Sequence, residues 1–407
     1  MNGSFAPHSS GKHERRDFLG SSATAAGLLI LAPKTVFGSQ ANSAVEVGII
    51  GCGGRGNLIG GFLTQHTTAR IVAIADVFQD KLDATQQKLG LNAPRTYKGL
   101  RGYQQMVGSK LDAVVIESSD YFHPEQAAAA VSAGKHVFIA KPLAPDVAGC
   151  LDVLETGRRA KGKLSFLVDF QSRARPVFQD AAARVHRGEL GRPVVCQIYY
   201  PAVDLMSYSW ERKPGMSEGE YRLRNWYFER RLCGDFIVNQ SIHVVDMANW
   251  YLQAHPVKAF GSGGRIVRNK IGDVWDHFLV DFWYPNEVKA NFMATQLVRV
   301  RGFGDMCVRV YGSESTLDSH YNGLVKILGP NPWNGTEKDD TFTGGAITNV
   351  KDFIESIQTG RYLNNVEPAV ESNLSVILGR TAAYRGGVVT WDEMIREKEK
   401  FVMDLNL

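Results

Sequence analysis

The chain has 407 residues, 44% of them hydrophobic and 22% charged, with 41 glycines and 15 prolines; this balance excludes wholesale disorder and collagen-like repeats and favours two globular domains over one. The formal charge is only +4, with no basic cluster interleaved with aromatics, so nothing in the sequence calls for a nucleic acid or an anionic membrane as partner. The five cysteines, Cys52, Cys150, Cys196, Cys233 and Cys307, are far apart and lack zinc spacing; they read as mostly buried thiols with room for one disulfide, and no metal is expected.

Arg15-Arg16-Asp17-Phe18-Leu19 precedes an apolar run from Ala25 to Ala32 that is too short to span a bilayer. The pattern resembles a twin-arginine export signal, and the competing reading is a tail with two adjacent arginines. Residues 1–44 are therefore taken as a leader processed near Ala41 or Ala44, which predicts a periplasmic or otherwise extracytoplasmic protein, exported folded and without stable membrane insertion. Lys12, Arg15, Arg16 and Lys34 against Glu14 and Asp17 give the leader +2, so its removal leaves +2.

From Val45 a β-prone run enters Gly51-Cys52-Gly53-Gly54-Arg55-Gly56. Gly51 permits a tight turn, Gly53 lets the backbone approach a pyrophosphate, and Gly56 lets the following helix pack closely; the diphosphate would meet that helix's first amides. A helical stretch from Leu58 to Gln65 and a second strand, Ile71 to Ala75, follow and end at Asp76, 25 residues beyond Gly51. There a carboxylate accepts ribose hydroxyls and repels a 2′-phosphate, so NAD is preferred and NADP is the alternative. Strands at 112–116 and 136–139, helices at 124–133 and 147–161, and a last run at 164–168 continue a parallel-sheet rhythm. The dinucleotide-binding domain is thus 45–168, with Gly51, Gly53, Gly54, Arg55, Gly56, Asp76, Ser118, His123 and Lys141 assigned to the cofactor.

Ala140-Lys141-Pro142 follows a strand, at the edge where open α/β sheets bind ligands. Beside a positive nicotinamide, Lys141 could hydrogen-bond a sugar hydroxyl and help move its proton, since a neighbouring positive charge lowers its pKa; the plain alternative is a surface lysine beside a loop proline. In the second half, 169–407, Asn239, His243 and Asp246 are spaced by four and three and can share one helical face. His243 then serves as acid or base, or else is a satisfied core histidine, while Asp235 is free to hold the approach loop. Between these clusters, Tyr221 to Tyr227 is rich in donors and rings, which makes Arg224 and Trp226 substrate-contact candidates. Runs at 259–263, 277–284, 288–295 and 306–311 read as antiparallel strands, one sheet face lining the site and the other making a dimer surface; helices at 349–359 and 367–384 close the domain and can pack back on the first.

Together the glycine fingerprint, Gly134-Lys135-His136-Val137, Ala140-Lys141-Pro142 and the His243 region resemble the glucose-fructose oxidoreductase and inositol dehydrogenase (Gfo/Idh/MocA) family over Val45 to Trp391. The resemblance implies a Rossmann-type parallel sheet followed by an α+β domain with a large open, mainly antiparallel sheet. It also implies an enzyme that takes hydride from a sugar, sugar-derivative or cyclitol hydroxyl, with Lys141 and His243 catalytic; Lys141, Arg224, Trp226, Asn239 and His243 are then the substrate-contact candidates, and a homo-oligomer is expected. Two positions depart from the family: Ala140 stands where Glu is frequent, and Asn239 where Asp is frequent. Ala140 removes an acidic orienting group, and Asn239 can neither act as a carboxylate base nor stabilise an imidazolium by charge. In an exported protein a tightly retained nucleotide would serve net oxidation or, alternatively, transient oxidation that cleaves a glycoside. The third reading is a noncatalytic carbohydrate-binding or assembly protein.

Overall fold

Short runs of Val, Ile, Ala and Phe buried on both faces suit strands of a parallel sheet covered by helices on each side. The computed structural model describes residues 44–298 and 305–407; Arg15, Arg16 and the rest of the segment expected to be an export leader, up to residue 43, lie outside them. The first sheet contains β1 (Glu46–Ile50), β2 (Arg70–Asp76), β3 (Arg95–Lys98), β4 (Ala113–Ile116), β5 (His136–Ile139) and β6 (Phe166–Val168). All pairings are parallel, in the order β3-β2-β1-β4-β5-β6. Chain order therefore reverses between β1 and β4, and that reversal opens a crevice at the carboxyl edge of the sheet.

Helices Gly102–Val107, His123–Ser132 and Val147–Ala160 cover one face, the last started by Asp146, whose side chain accepts the Gly149 amide at 2.7 Å. Gly54–His66 covers the other face, joined from far along the chain by Thr341–Thr359. Val350 and Phe353 of that late helix pack with Ile49, Leu63 and Phe138 in one buried cluster. The crevice is thereby fixed from both ends of the sequence.

The second sheet consists of β7 (Pro193–Val203), β8 (Lys258–Gly264), β9 (His277–Trp283), β10 (Lys289–Val298), β11 (Cys307–Gly312), β12 (Thr316–His320), β13 (Val325–Leu328), β14 (Trp333–Thr336) and β15 (Val388–Thr390), in the order β14-β13-β12-β11-β7-β10-β9-β8-β15. Cys196, Ile198 and Tyr200 of β7 and Ala290, Phe292 and Ala294 of β10 point inward onto helices Ile242–Leu252 and Val366–Arg385. The other face leaves Val195, Phe260, Leu279 and Tyr311 exposed.

Two local expectations change. The second sheet is open and mainly antiparallel as expected, but β7 and β10 run parallel within it; alternation along a strand reveals its buried face but not the direction of its partner. The helix that was to carry Asn239, His243 and Asp246 on one face is two helices, Phe236–Asn239 and Ile242–Leu252, broken where the Ser241 hydroxyl donates to the Ile237 carbonyl at 2.9 Å. The break separates Asn239 from His243 and Asp246, which stay on one helix, and Asp246 is taken up by the fold, accepting a bidentate Arg173 pair at 2.9 Å and the Ser372 hydroxyl at 2.8 Å. All five cysteines are buried and unpaired. Among the described residues, no helix is long and apolar enough to cross a membrane.

Candidate active site

The glycine loop divides its labour by space. Gly51 has φ +95° and its Cβ position falls 2.5 Å from the Glu117 backbone, while a Cβ on Gly56 would lie 2.0 Å from the Gly51 carbonyl oxygen. Both glycines are therefore required by the fold itself. Gly53 and Gly54 differ: a Cβ on either meets nothing within 4 Å, and both line a cavity of about 1110 Å³. They leave room for a ligand to approach the backbone at the start of helix Gly54–His66. Accordingly Gly53→Val should leave the thermal unfolding midpoint within a few degrees of wild type and weaken NAD binding at least about tenfold, as read by calorimetric titration. Unchanged affinity would exclude this loop as the phosphate cradle.

Asp76, at the end of β2, lines the same cavity; its carboxylate accepts the Cys52 amide at 2.8 Å and the Phe78 amide at 2.9 Å, and burial raises its pKa. Arg55 reaches across to an ion pair with Asp169, which Asn349 also donates to at 2.8 Å. One guanidinium nitrogen of Arg55, Nη1, stays buried without a protein partner.

At the ends of β4 and β5 the cavity becomes chemical. Lys141 Nζ donates to the Asn239 carbonyl at 2.9 Å, and the Asn239 side-chain amide donates to Asp120 at 2.7 Å. Asp120 is 2% exposed; burial pushes its carboxyl well above the usual range, opposed by Asn239 and Lys141. Burial pulls the Lys141 ammonium down to about 8, with Asp120 pulling the other way. His243 lines the cavity too, its ring against Tyr321 at 5.1 Å and edge-on to Phe170 at 6.4 Å. Its Nδ1 has no partner, and burial, then Lys141 and Arg55, keep the imidazole neutral.

The remaining predicted residues are distributed around this centre. Ser118 lines the cavity and donates to Gln126 at 2.6 Å. His123 stands behind the wall, its ring nitrogens 2.8 Å and 3.0 Å from the Pro142 and Ser118 carbonyls, and burial lowers its pKa to about 4. It ties the β4 turn to the Lys141-Pro142 turn. Arg224 pairs with Asp80 at 2.9 Å and Glu220 at 2.8 Å and covers the Phe78 ring, which brings it to the Asp76 end of the crevice, away from Lys141. Trp226 lines the cavity stacked on Tyr227, ring centroids 3.9 Å apart. Asp235 holds the approach loop, as its carboxylate accepts the Phe236 and Trp275 amides and the Tyr384 hydroxyl.

Sequence reasoning missed Glu117 and Asp120. Glu117 follows directly on β4 and Asp120 comes three residues later, and the pairing of Ile116 with Ile139 sets Glu117 beside Ala140. Acids placed immediately after a fully apolar strand were the available signal. The arrangement as a whole offers a backbone cradle for phosphates, a carboxylate for a ribose, and a lysine of depressed pKa held between an amide carbonyl and a buried acid. Among the described residues one group could hold a metal ion, Asp305 just before β11, Cys307 on β11 and His320 on β12, with His320 already bridging Asp305 and Asp318.

Residues 45–168 match the family profile described as an oxidoreductase family, NAD-binding Rossmann fold, and residues 178–318 match the GFO/IDH/MocA C-terminal domain. A myo-inositol 2-dehydrogenase of Thermotoga maritima is 27% identical over 57% of this chain and 62% of its own length, so the chain spans about three fifths of that relative. An inositol 2-dehydrogenase of Rhizobium meliloti is 24% identical over 79% of this chain and 87% of its own. In fold, the chain is similar to a Lactobacillus casei scyllo-inositol dehydrogenase solved with NAD(H) and scyllo-inositol, with a TM-score of 0.66 at 18% identity over 86% of this chain and all of that one.

Proposed function

The chain belongs to the Gfo/Idh/MocA family of NAD-binding oxidoreductases, and from that premise we propose that it oxidises a secondary hydroxyl of a cyclitol or sugar with NAD as hydride acceptor. The observation that carries this reading is the Lys141 amine, held 2.9 Å from the Asn239 carbonyl with Asp120 behind it, in the cavity that also exposes the glycine cradle. The cradle fits the nucleotide, since Gly53 and Gly54 leave open the space that a Cβ would take. Asp76 at the end of β2 supports NAD over NADP, because a 2′-phosphate beside a carboxylate is repelled. When bound, the nucleotide supplies the acceptor for hydride.

The side chains supply the rest. An amine with its pKa brought down to about 8 is unprotonated, and so able to accept the hydroxyl proton, in a far larger fraction near neutral pH than an ordinary lysine. The Asn239 carbonyl fixes the direction of Nζ, and the Asp120 charge keeps it from sinking further. His243, neutral and short of one hydrogen-bond partner, is placed to orient a hydroxyl. The ring pair Trp226 and Tyr227 offers a face to a polyol. Incubation with NAD and a panel of cyclitols and aldoses should give equal amounts of ketone and NADH. Release of an aglycone from a glycoside without net NADH would replace this reading with cleavage by transient oxidation.

The pH dependence follows from the lysine. Only the unprotonated amine accepts a proton, so the hydride-transfer rate should fall about tenfold per pH unit below about 8 and level off above it. Asp120 holds the Lys141 pKa up, so Asp120→Asn should move the rising limb to lower pH. Stopped-flow pH profiles of both proteins check the direction, and a limb that moves upward contradicts the placement of Asp120. The exposed apolar face carrying Val195, Leu279 and Tyr311 supports a homo-oligomer, and the Arg15-Arg16 leader supports export with the nucleotide retained.

A further inference from the structure

Glu117 is 8% exposed, lines the cavity, and neither of its carboxylate oxygens has a hydrogen-bond partner. Such a group is costly to bury and is tolerated where a ligand or a proton completes it. The charges facing it come from every neighbouring element: Arg55 at the start of helix Gly54–His66, Lys141 after β5 and Asp169 after β6, with the Tyr227 hydroxyl across the cavity. Arg55 is already paired with Asp169, and Lys141 is turned to Asn239. The carboxyl thus sits among charges without being neutralised by any of them, next to the turn that carries Lys141.

We propose that Glu117 stores the proton set free when a substrate hydroxyl is oxidised in this cavity, so that the enclosed charge is the same with oxidised as with reduced nucleotide. The inference rests on the functional reading above. The balance is closed: the carbon–hydrogen bond yields hydride to the nicotinamide ring, the oxygen–hydrogen bond yields its proton to Lys141 and thence to Glu117, and a ketone forms. The substrate loses two electrons and the nucleotide gains them. Beside a positive ring Glu117 is ionised, and beside a neutral ring it is protonated. Burial already pushes the carboxyl up to about 8 in the protein without ligand, which is the direction this role needs.

The test counts protons. NAD⁺ and NADH are titrated separately into the full chain, stripped of any nucleotide it carries, in weakly buffered solution near neutral pH with an indicator dye. The expected result, in Lys141→Ala where the lysine ammonium cannot contribute, is release of most of one proton per site with NAD⁺ and little with NADH, and loss of that difference when Glu117→Gln is added, with both nucleotides still bound. Equal release with both nucleotides, or a difference that survives Glu117→Gln, overturns the inference. Should the double variant fail to fold, the Lys141→Ala difference must itself decline above about pH 8, where the free carboxyl is already ionised, and a difference that persists there overturns it. Absence of binding by either nucleotide overturns the functional reading and this inference with it, whereas binding without the difference overturns this inference alone.

Discussion

Lys141→Ala is expected to slow hydride transfer by about 10²- to 10⁴-fold, the usual worth of a positioned acid or base, while NAD affinity changes by less than about tenfold. The asymmetry follows from where the lysine sits. The nucleotide cradle is built from Gly51 to Gly56 and Asp76, on the other side of the β1–β4 crevice, and none of its hydrogen bonds runs through Nζ. Truncation leaves the Asn239 carbonyl facing the cavity and Asp120 still held by the Asn239 amide at 2.7 Å, so the wall should survive. Single-turnover rates and calorimetric NAD titration separate the two effects. Parallel loss of both would make Lys141 a nucleotide-binding residue and remove it from proton transfer.

Gly56→Ala should do the opposite. Its new methyl would fall 2.0 Å from the Gly51 carbonyl oxygen, and backbone cannot step aside as a flexible side chain can. Gly51 is itself pinned, with its amide bonded to the Ala75 carbonyl at 2.9 Å and its α-carbon against the Glu117 backbone. The strain therefore has to open the loop or tilt helix Gly54–His66, at a cost of about 1–3 kcal/mol or more. Nucleotide binding should fall by at least about 10²-fold and the unfolding midpoint should drop by several degrees. A variant that unfolds at the wild-type temperature and binds NAD normally would contradict the close approach of strand end and helix. Set beside Gly53→Val, which should bind poorly and fold normally, this variant separates the glycines that build the loop from those that receive the ligand.

The difference between what was and was not legible in the sequence has a physical cause. Local signals sufficed for β1, the glycine loop, β2 ending at Asp76, and Lys141 after β5, because each is written in a few adjacent residues. The carboxylates at the reacting end depend on register. Ala140 and Asn239 suggested a site stripped of acids, yet Ile116 lies opposite Ile139 and sets Glu117 beside Ala140, while Asp120 comes within 2.7 Å of the Asn239 amide from 119 residues away. The acids stand one strand over from the positions first inspected. Likewise, spacing put Asp246 with His243, but the buried Arg173 pair and the Ser372 hydroxyl, both from distant parts of the chain, commit Asp246 to the fold. The parallel pairing of β7 with β10 escaped for the same reason, since direction is a property of the partner.

Nucleotide content tests the central claim most directly. Ligand released from the denatured full chain is identified by mass spectrometry, and the intact protein, supplemented with NAD if none is found, is then mixed with cyclitols and aldoses while the absorbance of reduced nicotinamide is followed. Bound or bindable NAD together with a polyol-dependent rise in that absorbance is the predicted result. A chain that neither carries nor binds NAD would contradict the account at its base, whatever sugars it holds.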